Sequence, residues 1–504
     1  MRKTGFDNQR YLEAQSAAIF ERAERFGGRL YLEFGGKLLF DYHAARVLPG
    51  YDPNVKLELL RRLGDRAEIL LCIHAGAIER RKVRGDFGIT YDADALKLID
   101  DLGAHGLEVR GVVITRFAEQ ASARSFQHRL ERRGLRVYLH RAVPGYPGDV
   151  DTIVSDRGYG ANPRIETAHP IVVVTGPGPG SGKLATCLSQ IYHDHCRGER
   201  AGYAKFETFP IWSLPLRHPV NLAYEAATAD LGDVNQVDPY HLEAYGRVAV
   251  NYNRDIEAFP IVERILQRIL NGVCPYRSPT DMGVNRAGDA ITDDAIVREA
   301  ASQEIIRRYY RLRCEYALGL VESAAVERVE RLMKELDLRP EARRVVEPAR
   351  AAAREAEARG RGSDGIYCGA AIELADGTII AGKNSELMHA ASSMILNAIK
   401  RLAGLPDPLH LLAPDVIASI HALKRQALQE THPGLNLNEA LMALAISASA
   451  NPSARTAMER LPDLRGCEAH LTHIPTPGDE TGLKKLGLNA TSDPNFPSKG
   501  LFFG

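Results

Sequence analysis

The stretch Ile171-Val172-Val173-Val174-Thr175-Gly176-Pro177-Gly178-Pro179-Gly180-Ser181-Gly182-Lys183 passes from β-branched apolar residues into a glycine-rich turn and a lysine. Ile and Val are stiff at χ1 and pack well on a pleated surface, so 170–175 reads as a strand buried on both faces. Apolar residues then recur at helical spacing from Leu184 to His193. The unit is strand, loop, helix. Glycines let backbone N–H groups turn toward an anion, the helix adds its positive end, and Lys183 adds a full charge. The candidate phosphate contacts are Gly176, Gly178, Gly180, Ser181, Gly182 and Lys183.

Two departures separate this loop from a Walker A sequence. Pro177 stands where the first glycine belongs, so five residues separate Gly176 from Gly182. Leu184 stands where the Mg²⁺-binding Ser or Thr belongs, with Thr186 the nearest hydroxyl. Phosphate binding is the expectation and ordinary ATP hydrolysis is not. The bland alternative is a tight turn with an incidental lysine.

Upstream, short apolar runs at 29–34, 67–73, 109–114 and 137–139 alternate with helical patterns around 57–63, 92–102 and 118–133. Strands alternating with amphipathic helices predict crossover units, and hence a doubly wound, mostly parallel α/β sheet over residues 1–200. Downstream, 201–290 is crowded with Pro, Tyr, Asn, Asp and His and reads as an irregular polar segment completing the site. A helical segment follows at 291–360, ending in the Ala/Arg/Glu-rich stretch 348–359, either a solvated helix or a linker. Gly360–Gly365 marks a break. A second α/β unit at 361–504 opens with strands on either side of the tight turn Asp376-Gly377, then a helix from about Leu387 to Ala403.

The chain has 504 residues, too many for one core. Lys+Arg and Asp+Glu are both 64, which argues against a bulk electrostatic grip on nucleic acid or anionic membrane. No apolar run approaches a bilayer span, and no signal core follows the N-terminus, so a soluble cytoplasmic protein is expected. The seven cysteines are widely spaced with no Cys-x-x-Cys pair, disfavouring disulfides and structural zinc.

Acidic and amide side chains supply the remaining site candidates. Asn221 and Glu225 stand four apart on one helix face; with Asp230, Asp233, Asp238 and His241 they are placed to hold Mg²⁺ with a nucleotide or to act as a general base. Asp230 and Asp233 join Lys183 as catalytic candidates. Asp281 and Asn285 sit in a polar turn. His43 and Arg46 follow the strand-end turn Gly35-Gly36-Lys37, at the edge where open α/β sheets bind ligands. Helix capping and turn hydrogen bonds explain the same residues without function.

The C-terminal pattern of strand, Asp-Gly turn, strand and helix resembles the cytidine-deaminase fold. A zinc deaminase needs His-x-Glu at the helix start and a later Pro-Cys-x-x-Cys. The corresponding triplet is His389-Ala390-Ala391 and the later cysteine is Cys467. Deamination is therefore rejected. Cys467, Glu468, His470 and His473 lack a second ligand pair, so packing is preferred over a metal there.

Long motifs point to one family. They are 31–37, 41–50, 82–86, 176–183, Tyr203-Ala204-Lys205-Phe206-Glu207-Thr208-Phe209-Pro210 and Ala227-Thr228-Ala229-Asp230-Leu231. With these the chain resembles, over essentially its whole length, the bacterial family catalogued as domain of unknown function 1846. The resemblance implies a cytoplasmic bacterial protein of several α/β and α subdomains with a deaminase-like C-terminal subdomain. It supplies no catalytic residues. The label of ATP-dependent peptidase that some members carry has no counterpart in a Ser/His/Asp order or a His-Glu-x-x-His motif here. The leading expectation is an enzyme handling a nucleotide or another small phosphorylated ligand. The alternatives are a non-catalytic, oligomeric sensor of such a ligand, and a loop used only for packing.

Overall fold

The computed structural model describes residues 3–27, 29–84, 88–363, 365–430 and 432–498. Gly85 and Asp86 of the 82–86 motif, and Asp364 of the 360–365 break, lie outside the described residues. The chain divides into two compact units, one of Lys3–Glu225 with Asp233–Ala301, the other built on Ser302–Gly504 with Ala226–Gly232.

In the first unit six strands form one parallel sheet: β1 (Leu30–Phe34), β2 (Ala67–His74), β3 (Val109–Thr115), β4 (Arg136–Leu139), β5 (Ile171–Thr175) and β6 (Gly202–Phe206). Their order is β4-β3-β2-β5-β1-β6, and every pairing is parallel. Five of these strands follow the sequence pattern closely. Every residue of β1 and β5 is buried, so both sheet faces are covered. On one face Tyr31, Leu70, Val172 and Val174 pack with Cys187, Leu188 and Ile191 of helix Lys183–Cys196. Each such side chain contributes roughly 1.5–3 kcal/mol of burial free energy.

The far end of that helix is pinned by Asp194, which is fully buried. It accepts from Tyr31 Oη at 2.7 Å and from Arg164 at 3.4 Å. An anion in a last helical turn opposes the helix dipole, and the guanidinium offsets it.

The expectation of an irregular segment over 201–290 is corrected here. The stretch contains the sixth strand and the 17-residue helix Asn253–Ile269. Β-strand β6, Gly-Tyr-Ala-Lys-Phe, escaped the pattern because it carries a glycine and a lysine and no β-branched residue. The helix buries Ile256, Phe259, Val262, Ile265, Leu266 and Ile269 at helical spacing, but Pro260 interrupts its reading.

In the second unit four strands, β7 (Gly369–Glu373), β8 (Ile379–Lys383), β9 (Glu468–Leu471) and β10 (Asn489–Ser492), lie in the order β8-β7-β9-β10. The first two pairings are antiparallel and the last parallel. The Asp376-Gly377 hairpin forms as expected, with Gly377 at φ 83°. Helix Ala390–Leu402 packs in the core of this unit. Stretch 348–359 is neither linker nor solvated helix. Helix Val346–Ala358 buries Val346, Ala349, Ala352 and Ala356, and Ala349 and Val345 cluster with Ala371 of β7. Gly369 permits this approach: a Cβ on it would lie 2.1 Å from the Ala349 carbonyl oxygen.

Among the described residues no helix is long and apolar enough to cross a membrane.

Candidate anion site at the carboxyl edge of the sheet

The loop after β5 ends at Gly182, which caps helix Lys183–Cys196 with φ 90° and no side-chain hydrogen bond. Backbone in this region favours glycine. A side chain there also has no room, since a Cβ would lie 2.7 Å from Thr115 Oγ1. Thr115, the last residue of β3, donates its hydroxyl to the Ser181 carbonyl at 2.8 Å. The loop is thus tied to a neighbouring strand end. Ser181 is only 3% exposed, yet its Oγ has no hydrogen-bond partner among the described residues. Thr186, one turn into the helix, is buried and accepts from Cys72 Sγ at 3.5 Å. Burial pushes the Cys72 thiol up to about 12, so it stays protonated and inert.

A cavity of about 440 Å³ opens beside Gly180–Thr186. Its other walls come from strand ends: Glu33 of β1, Thr115 and Arg116 at β3, His140 and Arg141 after β4, and Asn162. Ala142, Val143 and Tyr146 add an apolar and aromatic side. All the strands are parallel, so these residues share the carboxyl edge, the usual place for ligands in open α/β sheets.

The wall is mostly basic. Lys183, Arg116 and Arg141 face one carboxylate, Glu33. Arg116 holds φ 47°, a strained value for a residue with a Cβ. The backbone of Arg141 is clamped by Asn162, whose Oδ1 accepts from its N–H at 2.7 Å and whose Nδ2 donates to its carbonyl at 3.2 Å. Its guanidinium pairs with Glu119 at 3.2 Å. Burial pulls His140 down to about 4, so the ring is neutral, and Nε2–H donates to the Pro163 carbonyl at 3.0 Å.

The structure brings Gly180, Ser181, Gly182 and Lys183 into this cavity and places the acidic candidates elsewhere. Asn221 exchanges hydrogen bonds with the Ile211 backbone at 2.8 and 3.1 Å, and Glu225 accepts from the Asn235 N–H. Asp233 pairs with Arg254 at 2.7 Å. Asp238 caps helix Pro239–Tyr245 and accepts from Thr280 Oγ1 at 2.6 Å, and His241 lies 3.0 Å from Ser278 Oγ. Asp281 accepts from Tyr245 Oη, and Asn285 donates to the carbonyls of Thr208 and Pro210. Asp230 belongs to the other compact unit, where its charge acts on Arg311. None of these residues lines the cavity. Among the described residues, no three His, Cys, Asp or Glu side chains group to hold a metal ion. His470 instead packs against Tyr310 and meets Thr491 Oγ1 at 2.9 Å.

The Gly35-Gly36 corner is a packed ionic cluster. Buried Lys56 donates to Asp41 at 2.8 Å and to the Lys37 carbonyl at 2.9 Å. Burial alone would raise the Asp41 carboxyl, but the Lys56 charge holds it below the ordinary range. His43 stacks edge-on with Phe209 and Tyr224, and Arg46 lies half-buried in helix Tyr42–Val47. Nearby, Lys205 pairs with Asp255 at 2.5 Å and with Glu207 at 3.1 Å. Burial pushes Glu207 up to about 7 despite that lysine.

Glu33, Arg116, His140, Arg141 and Asn162 were missed by motif reading. The first four stand at or just beyond carboxyl ends of predicted strands, the positional rule that singled out Gly35–Lys37. Applied to every strand, the rule would have found Arg116 and Arg141.

A parallel α/β sheet with a strand–loop–helix unit and a cavity at its carboxyl edge is the class that fold and cavity define. The chain belongs to the family described as domain of unknown function DUF1846: the N-terminal family model matches residues 4–337 and the C-terminal model residues 341–502. Its relatives include the UPF0371 proteins of Clostridium botulinum. The strain Alaska E43 protein is 53% identical over 502 residues, and the strain 657 protein 53% over 501, each match covering 99% of both chains.

Proposed function

We propose that the cavity at Gly180–Thr186 binds a nucleotide or another phosphorylated small molecule, and that the protein is a phosphate-handling enzyme. The observation that carries this reading is the buried Ser181 hydroxyl, without a hydrogen-bond partner among the described residues, in a loop that lines a mostly basic cavity. An unsatisfied buried hydroxyl costs roughly 1–3 kcal/mol, a cost that a ligand phosphate oxygen would remove. Lys183, the uncapped helix start, Arg116 and Arg141 supply the positive field that developing phosphoryl charge requires. Gly176 and Gly178 complete the loop's turn. A divalent ion such as Mg²⁺ would enter with the nucleotide. The relevant partner is a small phosphorylated ligand in the cytoplasm, rather than nucleic acid or a membrane. The C-terminal unit, with its hairpin followed by helix Ala390–Leu402, fits a deaminase-like scaffold without the zinc chemistry.

Titration calorimetry with ATP, GTP, sugar phosphates and inorganic pyrophosphate, with and without Mg²⁺, tests the reading. Wild type should bind at least one of them, and Lys183→Ala should weaken that binding at least tenfold, equivalent to about 1.4 kcal/mol. No binding by wild type, or equal binding by the variant, would remove the anion site. Binding without turnover would favour an oligomeric sensor.

A further inference from the structure

A carboxylate in the wall of an anion site needs a reason. Two like charges 4 Å apart repel by about 4 kcal/mol near a protein surface, so Glu33 works against phosphate binding unless it has another task. β1 is the immediate neighbour of β5, and Glu33 pairs in register with Val174, two residues before the loop begins. On the other side its register partner is Lys205 of β6. That lysine is already engaged by Asp255 and Glu207. Glu33 is 8% exposed, lines the cavity with Lys183, and accepts the Tyr203 phenol on Oε2 at 2.8 Å. Among the described residues no donor is bonded to Oε1.

We propose that Glu33 takes the proton of a hydroxyl nucleophile, water or a substrate alcohol, bound in the cavity beside Gly180–Lys183. Tyr203 is its positioning residue. This rests on the phosphate reading of the loop. As the nucleophile's oxygen forms its bond to phosphorus, its proton passes to the Glu33 carboxylate. The bond from phosphorus to the leaving oxygen breaks with its electron pair on the leaving group, whose charge Lys183 and the loop amides neutralise.

The test combines binding and turnover in the full chain, using Glu33→Gln and Tyr203→Phe. Binding is measured with inorganic pyrophosphate, and turnover as phosphate or pyrophosphate release from ATP, GTP, CTP and UTP with Mg²⁺. Glu33→Gln should bind pyrophosphate as tightly as wild type or more tightly, and lose at least 100-fold in turnover. Tyr203→Phe should lower turnover by less than Glu33→Gln does and move the acid limb of the pH–rate profile to higher pH, because the carboxylate loses a donor. Turnover surviving in Glu33→Gln, weaker pyrophosphate binding by that variant, an unmoved acid limb in Tyr203→Phe, or a wild type that binds without releasing product would each overturn the proposal. Failure of pyrophosphate and every nucleotide to bind wild type is a distinct outcome, which removes the anion site and Glu33's role with it.

Discussion

Ser181 and Lys183 stand two residues apart in one loop. The serine hydroxyl is buried without a partner among the described residues, so Ser181→Ala should leave the unliganded protein as stable as wild type, or up to about 1 kcal/mol more stable. The same variant should bind pyrophosphate about tenfold more weakly, if the hydroxyl contacts phosphate. Thermal melts without and with pyrophosphate read both effects, and a melting temperature several degrees lower without ligand would contradict the first. Residue identity also explains which site candidates were legible. Lys183 and the glycines announce themselves by type and spacing. Asp233 and Asp238 looked equally suitable as chemical groups, but one faces Arg254 and the other caps a helix. A carboxylate's partner is a matter of three dimensions.

The strand–loop–helix element depends on two left-handed glycines whose surroundings differ. Gly182 has φ 90° with Thr115 Oγ1 in the path of a Cβ, whereas Gly180 has φ 74° and open space around it. Alanine at either position incurs about 1–2 kcal/mol for left-handed backbone. At Gly182 overpacking adds roughly 1–3 kcal/mol. Denaturant midpoints should therefore fall further for Gly182→Ala than for Gly180→Ala, and equal losses would show that Thr115 yields at little cost. Element type was legible where β-branched runs and amphipathic spacing were clean, as at β2, β3 and β5. It was obscured in β6 and across Pro260, where burial and packing against neighbours override weak local propensity.

Across the whole molecule, two carboxyl groups in different units, half-buried Glu207 and buried Asp493, should give stability opposite pH slopes. Glu207 rises from an ordinary 4.5 to about 7 through burial. The folded state then binds more protons than the unfolded state across that window, so this group's contribution falls as pH rises from about 4.5 to 7. Asp493 moves the other way. Burial alone would raise it, but the nearby His470 ring and the Arg350 guanidinium, which donates to it at 3.0 and 2.7 Å, hold it at about 2 against an ordinary 3.8. Its stabilisation is in place above about pH 4 and is lost between there and pH 2. Melting curves from pH 2 to 8 check both: Glu207→Gln should flatten the decline toward neutrality, and Asp493→Asn should flatten the acid limb.

The alternating strand and helix pattern, the β5–loop–helix element and the absence of a zinc-deaminase motif were determined by sequence alone, because each depends on residues close together in the chain. Tertiary structure decided which strands are neighbours. By placing β5 between β1 and β2, with β3 and β4 beyond β2, it brings Glu33, Arg116 and Arg141 around Lys183, across as many as 150 residues of chain. No local pattern encodes that meeting; it follows from crossover connections and register across a parallel sheet.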